Sequence, residues 1–154
     1  MQFARYEACT DAQALEAELQ RLTDEQFLTA RQAEAVDQAQ VLRLFASPLG
    51  RRILTARVRR EFKFSILTDA AAYAPEAEGE EILLQGVVDC FWEEAGGLVI
   101  VDFKTDRISG NLEEKAARYT PQLAAYAAAL SRIFARPVRE SILYFFDCDS
   151  AVTL

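Results

Sequence analysis

The chain has 154 residues, 51% of them hydrophobic and 27% charged, with a net charge of −7, a balance that suits one globular unit with a real core. No apolar run is long enough to span a bilayer and no signal peptide opens the chain. It has no histidine, which excludes a His-based triad or a His-built zinc site within these residues. The three scattered cysteines, Cys9, Cys90 and Cys148, form neither a disulfide framework nor a metal knuckle, so a reducing cytosol is the expected compartment.

The first third reads as helices. Thr10 and Asp11 are placed to cap a helix through Leu22, and Thr23, followed by Asp24 and Glu25, to cap a second one to about Gln38. Val41, Leu42, Leu44 and Phe45 form a further apolar set, and Ser47-Pro48 reads as an N-cap followed by Pro at N1, opening a helix to about Ala56. The residues Arg51, Arg52, Arg57, Arg59, Arg60 and Lys63 are the densest basic stretch, either a solvated face or a phosphate track. From Val58 the pattern becomes strand-like through Ile66. A loop is expected over residues 68–79, a second strand over Ile82–Trp92 and a third over Gly97–Lys104. Asn111 is placed to cap a short helix, and Thr120, with Pro121 at N1, a longer one to about Ala135. Val138–Phe146 reads as a fourth strand. The expectation is an α/β fold: a mostly four-stranded mixed sheet flanked by helices (residues 57–154), preceded by a helical segment (1–56), in a single domain.

Glu93-Glu94-Ala95-Gly96-Gly97 joins the second and third strands. A two-residue turn at Ala95-Gly96 puts Asp89 opposite Asp102 and Val87 opposite Lys104. Asp102 and Lys104 then share a face, with Phe103 on the other. Opposed residues have Cβ atoms roughly 5 Å apart. Two carboxylates so close, at the ends of the apolar runs Leu98–Val101 and Ile82–Val88, repel each other and resist desolvation. A divalent cation on their oxygens relieves this, and Lys104 adds a second positive charge. Two acids, a lysine and a metal are what phosphodiester hydrolysis requires: the metal polarises the phosphoryl group and activates water, and the lysine holds that water or stabilises the pentavalent transition state. Asp-x-Lys alone is also compatible with a structural ion pair on an exposed face, and the pattern by itself leaves both readings open.

Three segments in order, Gly86-Val87-Val88-Asp89, Asp102-Phe103-Lys104-Thr105-Asp106-Arg107 and Gln122-Leu123-Ala124-Ala125-Tyr126, resemble the RecB-type branch of the PD-(D/E)XK nucleases. Within it they are similar to the C-terminal nuclease domains of AddA helicase–nuclease subunits, as are Met1-Gln2-Phe3, Ser47-Pro48-Leu49-Gly50-Arg51 and Arg60-Glu61-Phe62-Lys63-Phe64. The resemblance implies a restriction-endonuclease-like core and a Mg²⁺-dependent exonuclease domain (Mn²⁺ as a substitute) that cleaves DNA in helicase-coupled processing of double-strand breaks for recombinational repair. It implies Asp89, Asp102 and the Phe103 main-chain carbonyl as metal ligands, Lys104 as the catalytic lysine, and Gln122 and Tyr126, one helical turn apart on one face, at the site or the DNA. For that pair helix packing is the other reading. Glu61 occupies a family position, with a salt bridge to a nearby Arg as the plain alternative.

The implied partners are single-stranded DNA delivered by helicase domains and an AddB-like subunit, in the bacterial cytoplasm and with no membrane. Some stand-alone relatives carry an iron–sulfur cluster on four cysteines; three scattered ones argue against it. The family also places a histidine ligand shortly before the Met-Gln-like segment. With no histidine here, this chain is expected to be a fragment starting downstream of that ligand, with an incomplete metal site and weak or absent Mg²⁺ binding of its own. A degenerate nuclease fold that binds DNA or protein without cleaving is the rival reading.

Overall fold

The computed structural model describes residues 2–72 and 74–154. Four helices precede the sheet: α1 (Ala12–Asp24), α2 (Ala30–Glu34), α3 (Gln38–Ala46) and α4 (Pro48–Thr55). The caps explain most of these boundaries. The Asp11 carboxylate accepts from Ala14 N, Asp37 from Gln40 N, and Ser47 Oγ from Gly50 N with Pro48 following. Gly50 lets α4 fold tightly back on α3: a Cβ there would lie 2.1 Å from the Leu44 carbonyl oxygen.

The helix expected from Thr23 to Gln38 does not form. Thr23 lies inside α1, where its hydroxyl donates to the Leu19 carbonyl. The chain then turns through Gln26, at φ 63°, with the Phe27 and Leu28 amides both donating to the Leu22 carbonyl. Thr29 caps the short α2 through a reciprocal pair with Gln32.

The sheet has five strands rather than four: β1 (Arg59–Asp69), β2 (Glu81–Glu94), β3 (Gly97–Lys104), β4 (Val138–Phe145) and β5 (Ser150–Thr153). They lie in sequence order, with β3 and β4 parallel and the other neighbours antiparallel. The fifth strand is a short edge returning from β4. Within the loop expected at residues 68–79, β1 extends to Asp69 and single 3₁₀ turns occupy Ala70–Ala72 and Pro75–Ala77; Tyr73 lies outside the described residues, as does Met1.

Two helices, α5 (Leu112–Ala117) and α6 (Thr120–Phe134), form the β3-to-β4 crossover. Asn111 caps α5 as expected. Thr120 does not cap α6: it is already helical, Tyr119 holds the N-cap place, and Pro121 sits one position further in than N1. Each face of the sheet has its own core. Cys90, Trp92, Val99, Val101, Ile142 and Tyr144 pack against α1, α3 and α4. Val88, Phe91, Leu98, Ile100, Leu143 and Phe145 pack against α5 and α6. β3 is therefore covered on both sides, as its unbroken apolar run requires.

Candidate active site

On β3, Leu98 and Ile100 face α6 while Val99 and Val101 face the first four helices. Alternation carries Asp102 and Lys104 to the α6 side and Phe103 to the other, where it packs against the first core. Asp102 is 3% exposed. The apolar run thus delivers a carboxylate into the interior at the strand's C-terminal end.

Asp89 arrives by an irregularity. The β2–β3 hairpin has the expected register, from Glu94 opposite Gly97 to Cys90 opposite Val101. The ladder stops there, one residue short of an Asp89–Asp102 pair. In place of a further main-chain bond, Asp89 Oδ2 accepts a hydrogen bond from the Phe103 amide at 2.9 Å. On its other side, the β1–β2 ladder also skips this position. Arg60 pairs with Cys90 and Phe62 with Val88, leaving Glu61, at φ 48°, across from Asp89. The facing pattern slips by one residue, so that Val88 and Phe91 both reach the α6 core. Beyond this point β2 pairs with β1 only, and Val87 lies opposite Lys63 rather than Lys104. The expected Val87–Lys104 pair is therefore absent, because the strands have parted to admit the Asp89 side chain.

Lys104 is held from three directions. Its Nζ lies 2.5 Å from Asp102 Oδ2, donates to Gln122 Oε1 at 3.0 Å, and stands 4.0 Å from the centre of the Tyr119 ring. Gln122 Nε2 in turn donates to the Tyr126 hydroxyl at 2.8 Å. The i, i+4 pair thus faces the site. Tyr126 also packs edge-on against Phe64, ring centres 5.8 Å apart, so the helix-packing reading holds alongside it. Gly86 makes room for both rings: a Cβ there would lie 2.7 Å from Phe64 and 3.0 Å from Tyr126.

Burial raises the Asp102 carboxyl above its ordinary value, the Lys104 ammonium pulls it down, and the negative charge of Asp89 pushes it up. Burial also raises the Tyr126 hydroxyl, with Asp102 and Asp89 adding to the rise. Asp102 Oδ2 is buried, with the Lys104 ammonium 2.5 Å away as its close partner. A buried carboxylate beside a second carboxylate suits a hard cation, and Asp89, Asp102 and the Phe103 carbonyl are the oxygens present to hold one. Among the described residues no three His, Cys, Asp or Glu side chains come together as a ligand set, so any cation here rests on two carboxylates and main-chain oxygen.

Other expected residues fall elsewhere. Glu61 lines a groove with Gln2, Phe3, Ala4, Leu22, Phe27 and Leu28, and no ion pair among the described residues involves it. The basic stretch is not one stripe. Arg52 pairs with Glu94 and Glu140, Arg59 lies over Phe134, and Arg60 lies over Tyr6 on the opposite face, because strand alternation divides them. Sequence reading missed Tyr119 and gave Asp106 no role. Tyr119's signal was its place three residues before Gln122, which puts both on one helical face.

The family model of the PD-(D/E)XK nuclease superfamily matches residues 2–152. The chain belongs to the PD-(D/E)XK nuclease superfamily. Among similar proteins, an ATP-dependent helicase/nuclease subunit of Acetivibrio thermocellus is 39% identical over 139 residues, 86% of this chain and 11% of that protein. The same subunit in Carboxydothermus hydrogenoformans is 40% identical over 145 residues, 92% of this chain and 12% of that protein. The chain therefore spans about a tenth of the length of these relatives. The crystal structure of SSO0001 matches with a TM-score of 0.46 at 14% identity, covering 97% of this chain and 64% of that one.

Proposed function

We propose that this chain is the DNA-cleaving domain of an ATP-dependent helicase–nuclease, acting as a Mg²⁺-dependent exonuclease on ends opened for recombinational repair, with Mn²⁺ able to substitute. The relatives' names support the helicase context. The observation that carries the chemical reading is the buried Asp102 carboxylate beside a second carboxylate, Asp89, with the Lys104 ammonium 2.5 Å from its Oδ2. Asp89, Asp102 and the Phe103 carbonyl would hold the cation, and the chemistry it supplies when bound is polarisation of the phosphoryl group and a lowered pKa for water.

The chain's own groups do the rest. Asp89 is fixed by the Phe103 amide, so its carboxylate is placed before substrate arrives. Lys104 sets a positive charge where phosphate charge develops in the transition state. Gln122 restrains the flexible lysine, and Tyr126 restrains Gln122. The net charge of −7 suits a domain that receives a single strand from helicase domains better than one that captures DNA by itself. A bacterial cytoplasmic setting and a second, AddB-like subunit belong to the same proposal.

The test uses the full-length helicase–nuclease and single-stranded DNA, which needs no unwinding. Wild type cleaves with Mg²⁺ and stops on chelation. Asp102→Ala lowers the rate by about 100-fold or more, on the scale of losing a major electrostatic contribution, while ATP hydrolysis continues. Undiminished cleavage by Asp102→Ala contradicts the assignment, and a wild type that binds but never cuts favours the degenerate module.

A further inference from the structure

Lysine reaches its target on a flexible four-carbon stem, so a lysine that must meet one atom needs restraint. Asp102 and Gln122 provide two contacts to Lys104 Nζ. The third is the face of Tyr119, 4.0 Å away, within the range at which an ammonium is attracted to a ring. Tyr119 is itself tied down. Its hydroxyl donates to Asp106 Oδ2 at 2.8 Å, and the other Asp106 oxygen accepts from Lys115 Nζ at 2.9 Å. The ring also leans on Phe145, centres 6.3 Å apart. Three segments thus converge: the end of β3, the turn of α5 that carries Lys115, and the start of α6.

We propose that Tyr119 is a positioning residue for Lys104, its ring fixed by the Asp106–Lys115 pair so that the ammonium stays in place when Asp102 takes another partner. Two of the three contacts to Nζ do not involve Asp102, and of these the ring is the one anchored from outside the Gln122–Tyr126 pair. Lys115, and after it the Tyr119 hydroxyl, hold the Asp106 carboxyl below its usual range, and the bond to Asp106 favours the protonated phenol, which keeps the hydroxyl-to-carboxylate bond intact around neutrality. This gives a role to the last acid of the Asp102-Phe103-Lys104-Thr105-Asp106 segment. The inference rests on Lys104 being the catalytic lysine only for its kinetic consequence.

The primary experiment does not depend on cleavage. The chain has three lysines, Lys63, Lys104 and Lys115, so selective ¹³C labelling of lysine gives a simple spectrum, assigned by Lys104→Arg. In wild type the Lys104 side-chain methylenes next to Nζ resonate upfield of those of Lys63, shifted by the Tyr119 ring. The shift shrinks in Tyr119→Phe and in Asp106→Ala, which both cut the hydroxyl-to-carboxylate anchor, and vanishes in Tyr119→Leu. An unshifted Lys104 in wild type, or the same shift in Tyr119→Leu, overturns the proposal. In the full-length nuclease, Tyr119→Leu lowers kcat by about 10-fold, as expected for one cation–π contact, with KM nearly unchanged, and Tyr119→Phe, which keeps the ring but loses its anchor, falls between Leu and wild type. Equal losses in the Phe and Leu variants also overturn it. If Lys104→Ala cleaves normally, the catalytic assignment fails while the spectroscopic result still decides whether Tyr119 seats the lysine.

Discussion

Two carboxylates, Glu18 and Asp102, are buried at 4% and 3% exposure, and their surroundings differ. Glu18 accepts from the Arg5 amide at 2.7 Å and from two nitrogens of Arg21. Those bonds hold its carboxyl below the ordinary 4.5, the Arg21 contact contributing most. Asp102 meets the Lys104 ammonium through Oδ2, yet burial and the charge of Asp89 leave its carboxyl raised. The first is a finished structural pair that fastens α1 to the N-terminal segment; the second is a charge suited to a further partner. A carboxyl whose pKa is lower in the folded than in the unfolded state binds fewer protons when folded. Its stabilisation is therefore present above about 4.5 and is lost as pH falls through the lower folded value. Arg21→Ala is expected to lower the urea midpoint at pH 7, with the gap from wild type closing as Glu18 protonates below that range. Denaturation followed at pH 7 and pH 3 checks this; a gap that stays constant contradicts the pair's role.

At the scale of elements, the strands of the candidate site were the most legible and the N-terminal helices the least. β3 has the limits expected, Gly97 to Lys104, because an apolar run between a Gly-Gly turn and a charged end has few alternatives. The hairpin register was likewise readable, since Ala95-Gly96 fixes it. The parting of β2 from β3 at Asp89 was not, because a side chain replacing a ladder bond leaves no trace in the hydrophobic pattern. The end of α1 was missed for a similar reason. The chain turns through Gln26 with a positive φ, where no glycine announces it, and Thr23, a good cap by type, uses its hydroxyl inside the helix.

Gly86 is the residue of the Gly86-Val87-Val88-Asp89 segment whose role belongs at this scale. It lets β2 pass under Phe64 and Tyr126. Gly86→Ala is expected to destabilise the fold by about 1–3 kcal/mol, the usual cost of overpacking, and to displace Tyr126 and with it Gln122. Thermal unfolding measures the first effect. A Gly86→Ala protein with unchanged Tm and unchanged aromatic contacts would show that the space is not needed.

For the whole molecule, the sheet carries a core on each face, and the candidate site lies on the α6 side. The first four helices build one core, and α5 and α6 carry Lys115, Tyr119, Gln122 and Tyr126 to the other side, around Lys104. The placement of Asp102 near the end of the buried strand β3 was legible in the sequence; Asp89 instead lies within β2, whose first half is alternately exposed. The Tyr119–Asp106–Lys115 support was not legible, since it depends on how the crossover helices fold back over β3. The Lys104 ammonium is proposed to take part in phosphodiester cleavage. The most direct measurement is the single-turnover rate of single-stranded DNA cleavage by full-length helicase–nuclease carrying Lys104→Ala, with ATP hydrolysis and circular dichroism recorded on the same preparation. The predicted result is a loss of about 100-fold or more, the scale of removing a transition-state charge contact, with ATPase activity and fold retained. Cleavage at the wild-type rate would contradict it.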